Sequence, residues 1–178
     1  MFNLLLLSII WSITSFTFYL GKFQIKQVAG NIYVNGCAMS LADTFIRPVQ
    51  LWCYGKWGVR RTMTIFFTMA IVGSFPVIFS EGASENYRDY VVPVCLFVMN
   101  SGVSASFANI YVGHLDLFPV VFASTSMGFC NIIARFTTIF APMVAEVDQP
   151  VPEIIFTTVC VIAAVVSLFV RKKTSNYY

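Results

Sequence analysis

The segment YGKWGVRRT, Tyr54 to Thr62, is short and basic, and it is bounded on both sides by apolar residues. One apolar run, Ile32 to Tyr54, precedes it, and a second run, Met63 to Ser80, follows it. Each run is close to the ~20 residues that a helix needs to cross a bilayer. The segment holds two glycines and three cations but no acid. This pattern predicts a turn between two membrane spans, on the cytoplasmic side.

The composition of the whole chain favours the same interpretation. Of its 178 residues, 58% are hydrophobic and only 11% are charged, whereas a soluble domain carries about 25% charged residues. We therefore predict an all-α membrane protein that forms a single domain over residues 1–178. Six transmembrane helices are expected, at approximately residues 3–20, 32–54, 63–80, 90–112, 120–145 and 152–170. A signal peptide is the alternative for the first stretch, but no basic region precedes its apolar run.

The segments that connect the predicted helices alternate in charge. Lys56, Arg60 and Arg61 follow the second helix, and residues 171–173 are all basic. The segments at residues 81–89 and 146–153 carry three acids each. Basic connections favour the cytoplasm, so the pattern predicts a multi-pass protein with both termini cytoplasmic. Two lysines, Lys22 and Lys26, are then exceptions on the outer side.

Several function classes find little support in the sequence. The five cysteines stand singly and form no spacing typical of a metal site or disulfide framework, so no metal and no cofactor is predicted. One histidine and no glutamate within a predicted span argue against a membrane-embedded enzyme. The basic groups are few and lie at the membrane edges, which argues against a nucleic-acid partner.

Two stretches carry a resemblance to a known family. The loop Tyr54–Thr62 resembles the cytoplasmic loop motif of the major facilitator superfamily. The stretch FANIYVGHLDLFPVVFASTSMGFCNIIARFTTIFAP, Phe107 to Pro142, is similar to the helix ten to helix eleven region of its organic cation/organic anion transporters. The segments NIYVN, from Asn31, and TSFTFY, from Thr14, are similar to helices eight and seven of that family.

The resemblance implies that this chain corresponds to helices seven to twelve, the C-terminal half of a twelve-helix transporter. It implies transport of small organic ions by alternating access, in the plasma membrane. Half a transporter does not enclose a substrate, so the chain is a fragment, dimerises with a second copy, or pairs with an N-terminal six-helix half. One departure from the family pattern is Gly55, which stands where the family loop has an acid.

Three ionisable residues lie inside predicted spans, where a charge costs about 2.5 to 3.5 kcal/mol on insertion scales. Asp43 and Arg47 are four residues apart and can meet on one helix face, as a structural ion pair or as a switching contact. Arg135 has no partner within its own helix. It is expected either to pair with Asp43 or to coordinate an anion, because a guanidinium offers a planar fork of donors. The resemblance associates arginine here with organic anion and zwitterion carriers.

Two groups of candidate residues follow. Phe16, Phe18 and Tyr19 could stack on flat substrates or pack against helices or lipid, and Asn100 could line a pathway. The candidate substrate-binding residues are Arg135, Asp43, Phe16, Phe18, Tyr19 and Asn100. The candidates for conformational gating are Gly55, Lys56, Gly58, Arg60, Arg61, Asp116 and Arg47. The alternative to a carrier is a transport-inactive scaffold subunit of a membrane complex, derived from such a carrier.

Overall fold

The computed structural model describes residues 2–28, 30–80, 84–85 and 87–170, and all regular structure in these ranges is helical. The helices are α1 (Phe2–Gln24), α2 (Ile32–Ile78), α3 (Val92–Leu117), α4 (Val120–Thr138), α5 (Phe140–Ala145) and α6 (Val151–Leu168). A π-helical turn, Tyr87–Val91, leads into α3. An apolar chain in lipid must satisfy its backbone hydrogen bonds internally, which an α-helix does.

Five of these helices, all except α5, are long and apolar enough to cross a membrane. α2 is 47 residues long and contains one non-helical residue, Gly58, with φ +73°. Glycine adopts this left-handed conformation without the steric penalty of a side chain. The helix therefore continues on both sides of Gly58 but changes its direction there.

The contacts of α2 with α3 show how complete this reversal is. In the first half of α2, Asp43 and Gln50 bond to Asn100 and Asn109, so this half runs parallel to α3. In the second half, residue numbers fall along α2 as they rise along α3: Gly73 contacts Met99, Ala70 contacts Gly102 and Val59 contacts Gly113. The two halves of α2 are thus antiparallel, and the turn quoted at the outset joins them.

The remaining helices pack around α1, which contacts α3, α4, α5 and α6. Trp11 meets Tyr111 of α3, and Gly21 lies beside Phe156 of α6. The largest buried core side chains come from α1, α2, α3 and α6; they include Leu7, Ile10, Trp11, Met39, Met63, Phe67, Met99 and Phe156. α4 is mostly exposed, and its break before α5 agrees with Pro142, which has no N–H to donate to the Thr138 carbonyl.

The helix ends differ from the predicted segments in ways that matter for the site. α1 extends to Gln24, so Lys22 lies on the helix rather than beyond it. α6 begins at Val151, so Glu153 lies in its first turn and is fully buried. The expectation that no glutamate lies within a span was wrong for Glu153, which the predicted segment 152–170 itself includes. The basic residues 171–173 lie outside the described residues.

Candidate functional site

Arg135 lies on α4 with its side chain exposed. Its Nη1 donates a hydrogen bond of 3.2 Å to the Tyr19 hydroxyl of α1. It forms no ion pair with any other described residue, so the predicted pairing with Asp43 is not present. A groove of about 470 Å³ runs beside it; the lining residues are Gly128, Asn131, Ile132, Arg135, Phe136 and Ile139. The guanidinium therefore retains free donors at the edge of this groove.

Asp43 lies near the start of α2 and has two partners. Its Oδ2 accepts from Lys22 Nζ at 2.8 Å, an ion pair in which both side chains are about one-third exposed. Its Oδ1 accepts from Asn100 Nδ2 at 2.7 Å. Asn100 Nδ2 also lies 2.8 Å from the Met39 carbonyl oxygen. Asp43 thus holds α1, α2 and α3 together through two side-chain contacts.

Arg47 does not contribute to this cluster. It is exposed, and among the described residues it has no ion pair. The spacing of Asp43 and Arg47 permits a pair on one helix face, but the structure uses Lys22 instead. A lysine on a neighbouring helix can reach the carboxylate and still keep part of its side chain in the open region between the helices.

Aromatic rings connect Arg135 with the ion pair of Lys22 and Asp43. Phe18 stands edge-on to Tyr19, with 5.6 Å between ring centroids, and Lys22 Nζ lies 5.5 Å from the Phe18 centroid. Phe18 also stacks on Phe107 of α3 at 5.1 Å. These contacts join the candidates into one continuous set, which we call the central network. It consists of Arg135, Tyr19, Phe18, Lys22, Asp43, Asn100 and Phe107.

Most of the predicted substrate-binding residues therefore meet in one place. Phe16 is the exception: it packs against the same hydrophobic core as Phe18 and Tyr19, but no ring contact among the described residues joins it to this set. Sequence reasoning missed Lys22 and Phe107. Lys22 lies three residues after Tyr19 and so shares its helix face once α1 is extended by one turn. Phe107 carries no comparable signal, because its role depends on the position of α3 against α1.

The electrostatics of the central network are asymmetric. Two cations, Arg135 and Lys22, stand against the single carboxylate of Asp43, and this carboxylate already pairs with Lys22. One positive charge is therefore left without a counter-ion among the described residues. Arg135 presents it at the hydroxyl end of Tyr19, whose ring adjoins Phe18, so the network can bind an anionic group and a flat apolar group together.

Six of the seven gating candidates lie at another end of the helices, whereas Arg47 lies one helical turn from Asp43. A cavity of about 900 Å³ opens at the turn around Gly58, and its lining includes Gly55, Lys56, Arg60, Arg61 and Asp116. The Tyr54 hydroxyl donates to Asp116 Oδ2 there, linking α2 to α3. Lys56 Nζ lies 4.0 Å from the centre of the Trp52 ring. The three cations that line this cavity, Lys56, Arg60 and Arg61, form no ion pair with any residue whose position is described.

Gly55 leaves open space in this cavity. A Cβ added to it would meet no atom within 4 Å. Beside it, the contact between α2 and α3 is made by the Tyr54 hydroxyl and Asp116.

No protein-family model matches the chain. It is similar to "Solute carrier family 22 member 15-like" of Xenopus laevis, with 27% identity over 154 residues, which is 85% of this chain and 31% of that protein. It is also similar to "Organic anion transporter 3" of Mus musculus, 26% identical over 92% of this chain and 30% of that protein. "Organic cation transporter protein" of Drosophila melanogaster is 22% identical over 89% of this chain and 29% of that protein.

These relatives confirm the resemblance that the motifs predicted: they are organic anion and cation transporters, and the match is consistent with the C-terminal half of a major facilitator superfamily transporter. The chain spans about 30% of the length of the curated relatives that it matches.

Proposed function

We propose that this chain, whose relatives are organic anion and cation transporters, takes part in the transport of small organic ions across a lipid bilayer by alternating access. The observation that carries the proposal is the exposed Arg135 guanidinium. It is bonded to a neutral hydroxyl, and no carboxylate pairs with it among the described residues. A membrane protein bears the cost of such a charge more readily where the charge has a ligand to bind.

The preferred substrate in this proposal is an organic anion or zwitterion with an aromatic part. Arg135 would bind a carboxylate or sulfonate through two parallel N–H donors. Phe18 and Tyr19 would contact the flat part of the substrate, since both rings are only half-buried. An ammonium group would meet no free carboxylate in the central network, because Asp43 is bonded to Lys22 and Asn100.

Alternating access requires contacts that break and re-form. Asp43, which already bridges three helices, would change partners as substrate approaches Arg135 and Lys22. The contact of Tyr54 with Asp116 would open or close the basic cavity in the other half of the cycle. In this scheme Lys56, Arg60, Arg61 and Arg47 gate the cytoplasmic side rather than bind substrate.

The other half of the site would come from an N-terminal six-helix half or from a second copy of this chain. The central network is open on the side of α4, where Phe129, Ile132 and Phe136 are exposed. Exposed apolar patches of this kind mark an interface with protein or lipid. Both termini are cytoplasmic in this proposal, which the basic turn supports, and the plasma membrane is the location that we propose.

A second candidate function is a transport-inactive scaffold subunit. It is favoured by the pairing of Asp43 with Lys22 and Asn100, because a carboxylate with both oxygens bonded can serve only to hold the helices together. The exposed face of α4 would then bind only a partner protein. The two candidates differ in one measurable respect, since a scaffold takes up no ion.

The test is uptake into proteoliposomes that contain the protein in its native, full-length form. The probes are a labelled aromatic carboxylate and an aromatic quaternary ammonium of similar size. Arg135→Lys replaces a fork of donors by a point charge. Because a hydrogen bond to a charged group is worth about 1.5–3 kcal/mol, we expect carboxylate uptake to fall about tenfold or more, with little change for the ammonium.

Arg88→Lys is the matched control, since Arg88 lies outside the central network and donates to the Ser80 carbonyl. It should leave the uptake of both probes unchanged. Carboxylate uptake that is equal in wild type and Arg135→Lys would contradict the anion site. The absence of any uptake by the wild type would favour the scaffold.

A further inference from the structure

A buried carboxyl group lies away from the central network, between the end of α1 and the start of α6. Glu153 and Gln24 are both fully buried. Gln24 Nε2 donates to Glu153 Oε1 at 2.8 Å, and this side-chain bond links the two helices. The backbone around Glu153 is ordinary helix, with the Thr157 hydroxyl bonded to the Glu153 carbonyl oxygen. The pair therefore belongs to the helix packing and not to a surface loop.

Two oxygen atoms of this pair have no hydrogen-bond partner among the described residues: Oε2 of Glu153 and Oε1 of Gln24. Both are acceptors if the carboxyl group is ionised. A buried carboxylate with neither a cation nor a full set of donors is strongly disfavoured relative to its neutral form. One proton on Glu153 removes the charge and turns Oε2 from an acceptor into a donor.

The charged groups that the structure describes around Glu153 do not supply a counter-charge. From α1, Lys22 is bonded to Asp43, and Lys26 beyond the helix end is exposed. The second half of α2, which packs against α6, has no ionisable residue between positions 65 and 78. On α6 itself, Cys160 lies seven residues on and is buried. The preceding acids, Glu146 and Asp148, are exposed and would add negative charge only.

We propose that Glu153 is a proton-binding site, and that the bound proton completes the contact between α1 and α6. The ligand is a proton and not a metal cation, because hard cations are held by about six or more oxygen ligands, and the described part of the chain offers two unpartnered side-chain oxygens at this pair. Since α1 also carries Tyr19 and Lys22, loss of the proton would loosen the helix that presents part of the central network. The inference itself rests on the packing and not on transport.

Infrared difference spectroscopy on the full chain in lipid nanodiscs tests the site directly. A protonated carboxyl group has a C=O stretching band that a carboxylate lacks. We expect this band in the wild type at neutral pH, its loss in Glu153→Gln, and its retention in Glu146→Gln, which alters an exposed acid nearby. Identical spectra for wild type and Glu153→Gln would overturn the proposal. A band that appears only when sodium is replaced by choline would overturn it as well, since sodium would then be the ligand.

A second measurement does not depend on assigning the band. The folded protein would hold one more proton than the unfolded chain at neutral pH, so its stability should fall as the pH rises. Glu153→Gln mimics the neutral form and should fold, with an apparent Tm that varies less with pH than that of the wild type. Equal pH dependence in the two proteins would contradict a proton at this position.

Discussion

α3 is held on two sides by the two halves of α2, and the two contacts have different chemistry. The first half of α2 binds α3 through polar side chains: Asp43 to Asn100, Gln50 to Asn109 and Tyr54 to Asp116. The second half packs against α3 through close backbone approach at glycines. A Cβ at Gly73 would lie 2.4 Å from the Met99 nitrogen, and one at Gly102 would lie 2.5 Å from the Ala70 nitrogen.

The difference indicates which side of α3 can move. Polar side chains can exchange one partner for another at small cost, since hydrogen bonds between membrane helices average about 0.6 kcal/mol. Backbones in direct contact tolerate no such exchange, because any shift opens a gap or creates a clash. One of the polar contacts, Asp43 with Asn100, belongs to the central network, so the contact that can change is the one next to the candidate site.

The largest effect is expected where the backbones touch. In Gly102→Ala the new methyl group meets backbone atoms of Phe66 and Ala70 that cannot turn away. Such overpacking costs about 1–3 kcal/mol, which should appear as a lower midpoint in thermal or denaturant unfolding. Gly128→Ala is the matched control, because a Cβ there meets nothing within 4 Å. Equal losses of stability in both variants would show that the second half of α2 and α3 are not in close backbone contact at Gly102.

A smaller effect is expected at the middle of the polar contact. Gln50 Nε2 donates to Asn109 Oδ1 at 2.6 Å, and both side chains are buried. Gln50→Leu should lower the free energy of unfolding by about 0.6–1.7 kcal/mol, the range of such bonds in membrane helices. A double-mutant cycle with Asn109→Leu measures the coupling. A coupling energy near zero would contradict the direct bond.

The smallest effect on stability is expected at Asp43. Asp43→Asn removes the ion pair with Lys22, but both side chains are about one-third exposed, so the loss should be only about 0–1 kcal/mol. The same change frees the Lys22 ammonium beside Phe18. We therefore expect altered affinity for the aromatic carboxylate in a binding titration, with nearly unchanged unfolding. A large loss of stability with unchanged affinity would make Asp43 a purely structural residue.

Much of this fold was predictable because the turn and the apolar runs are local signals. Arg135 and Asp43 were singled out from the sequence because an ionisable residue inside a span usually has a partner or a ligand, and Tyr19 because its ring could stack on a flat substrate. Their actual partners were not predictable. Lys22 was assigned outside the span because the apolar run ends before the helix does, and its pairing with Asp43 depends on how α1 packs against α2.

Glu153 falls inside the predicted segment 152–170, but the sequence analysis counted it among the acids of the preceding connection. It lies in an acidic segment and within a few residues of two prolines, Pro150 and Pro152, which is typical of a loop. Proline is nevertheless well suited to the first turn of a helix, where its missing N–H has no partner to lose. α6 therefore starts before Glu153 and carries it into the protein interior.

The most direct test of the account compares the two sides of α3 while substrate binds. Spin labels at Phe45, Val72 and Val94, all exposed, report the distances from α3 to the first and second halves of α2 by double electron–electron resonance. The natural cysteines are replaced, and the aromatic carboxylate is added to the full-length protein. The account predicts that the Phe45–Val94 distance distribution shifts and the Val72–Val94 distribution does not. A shift confined to the Val72–Val94 pair, or no shift in either pair, would contradict it.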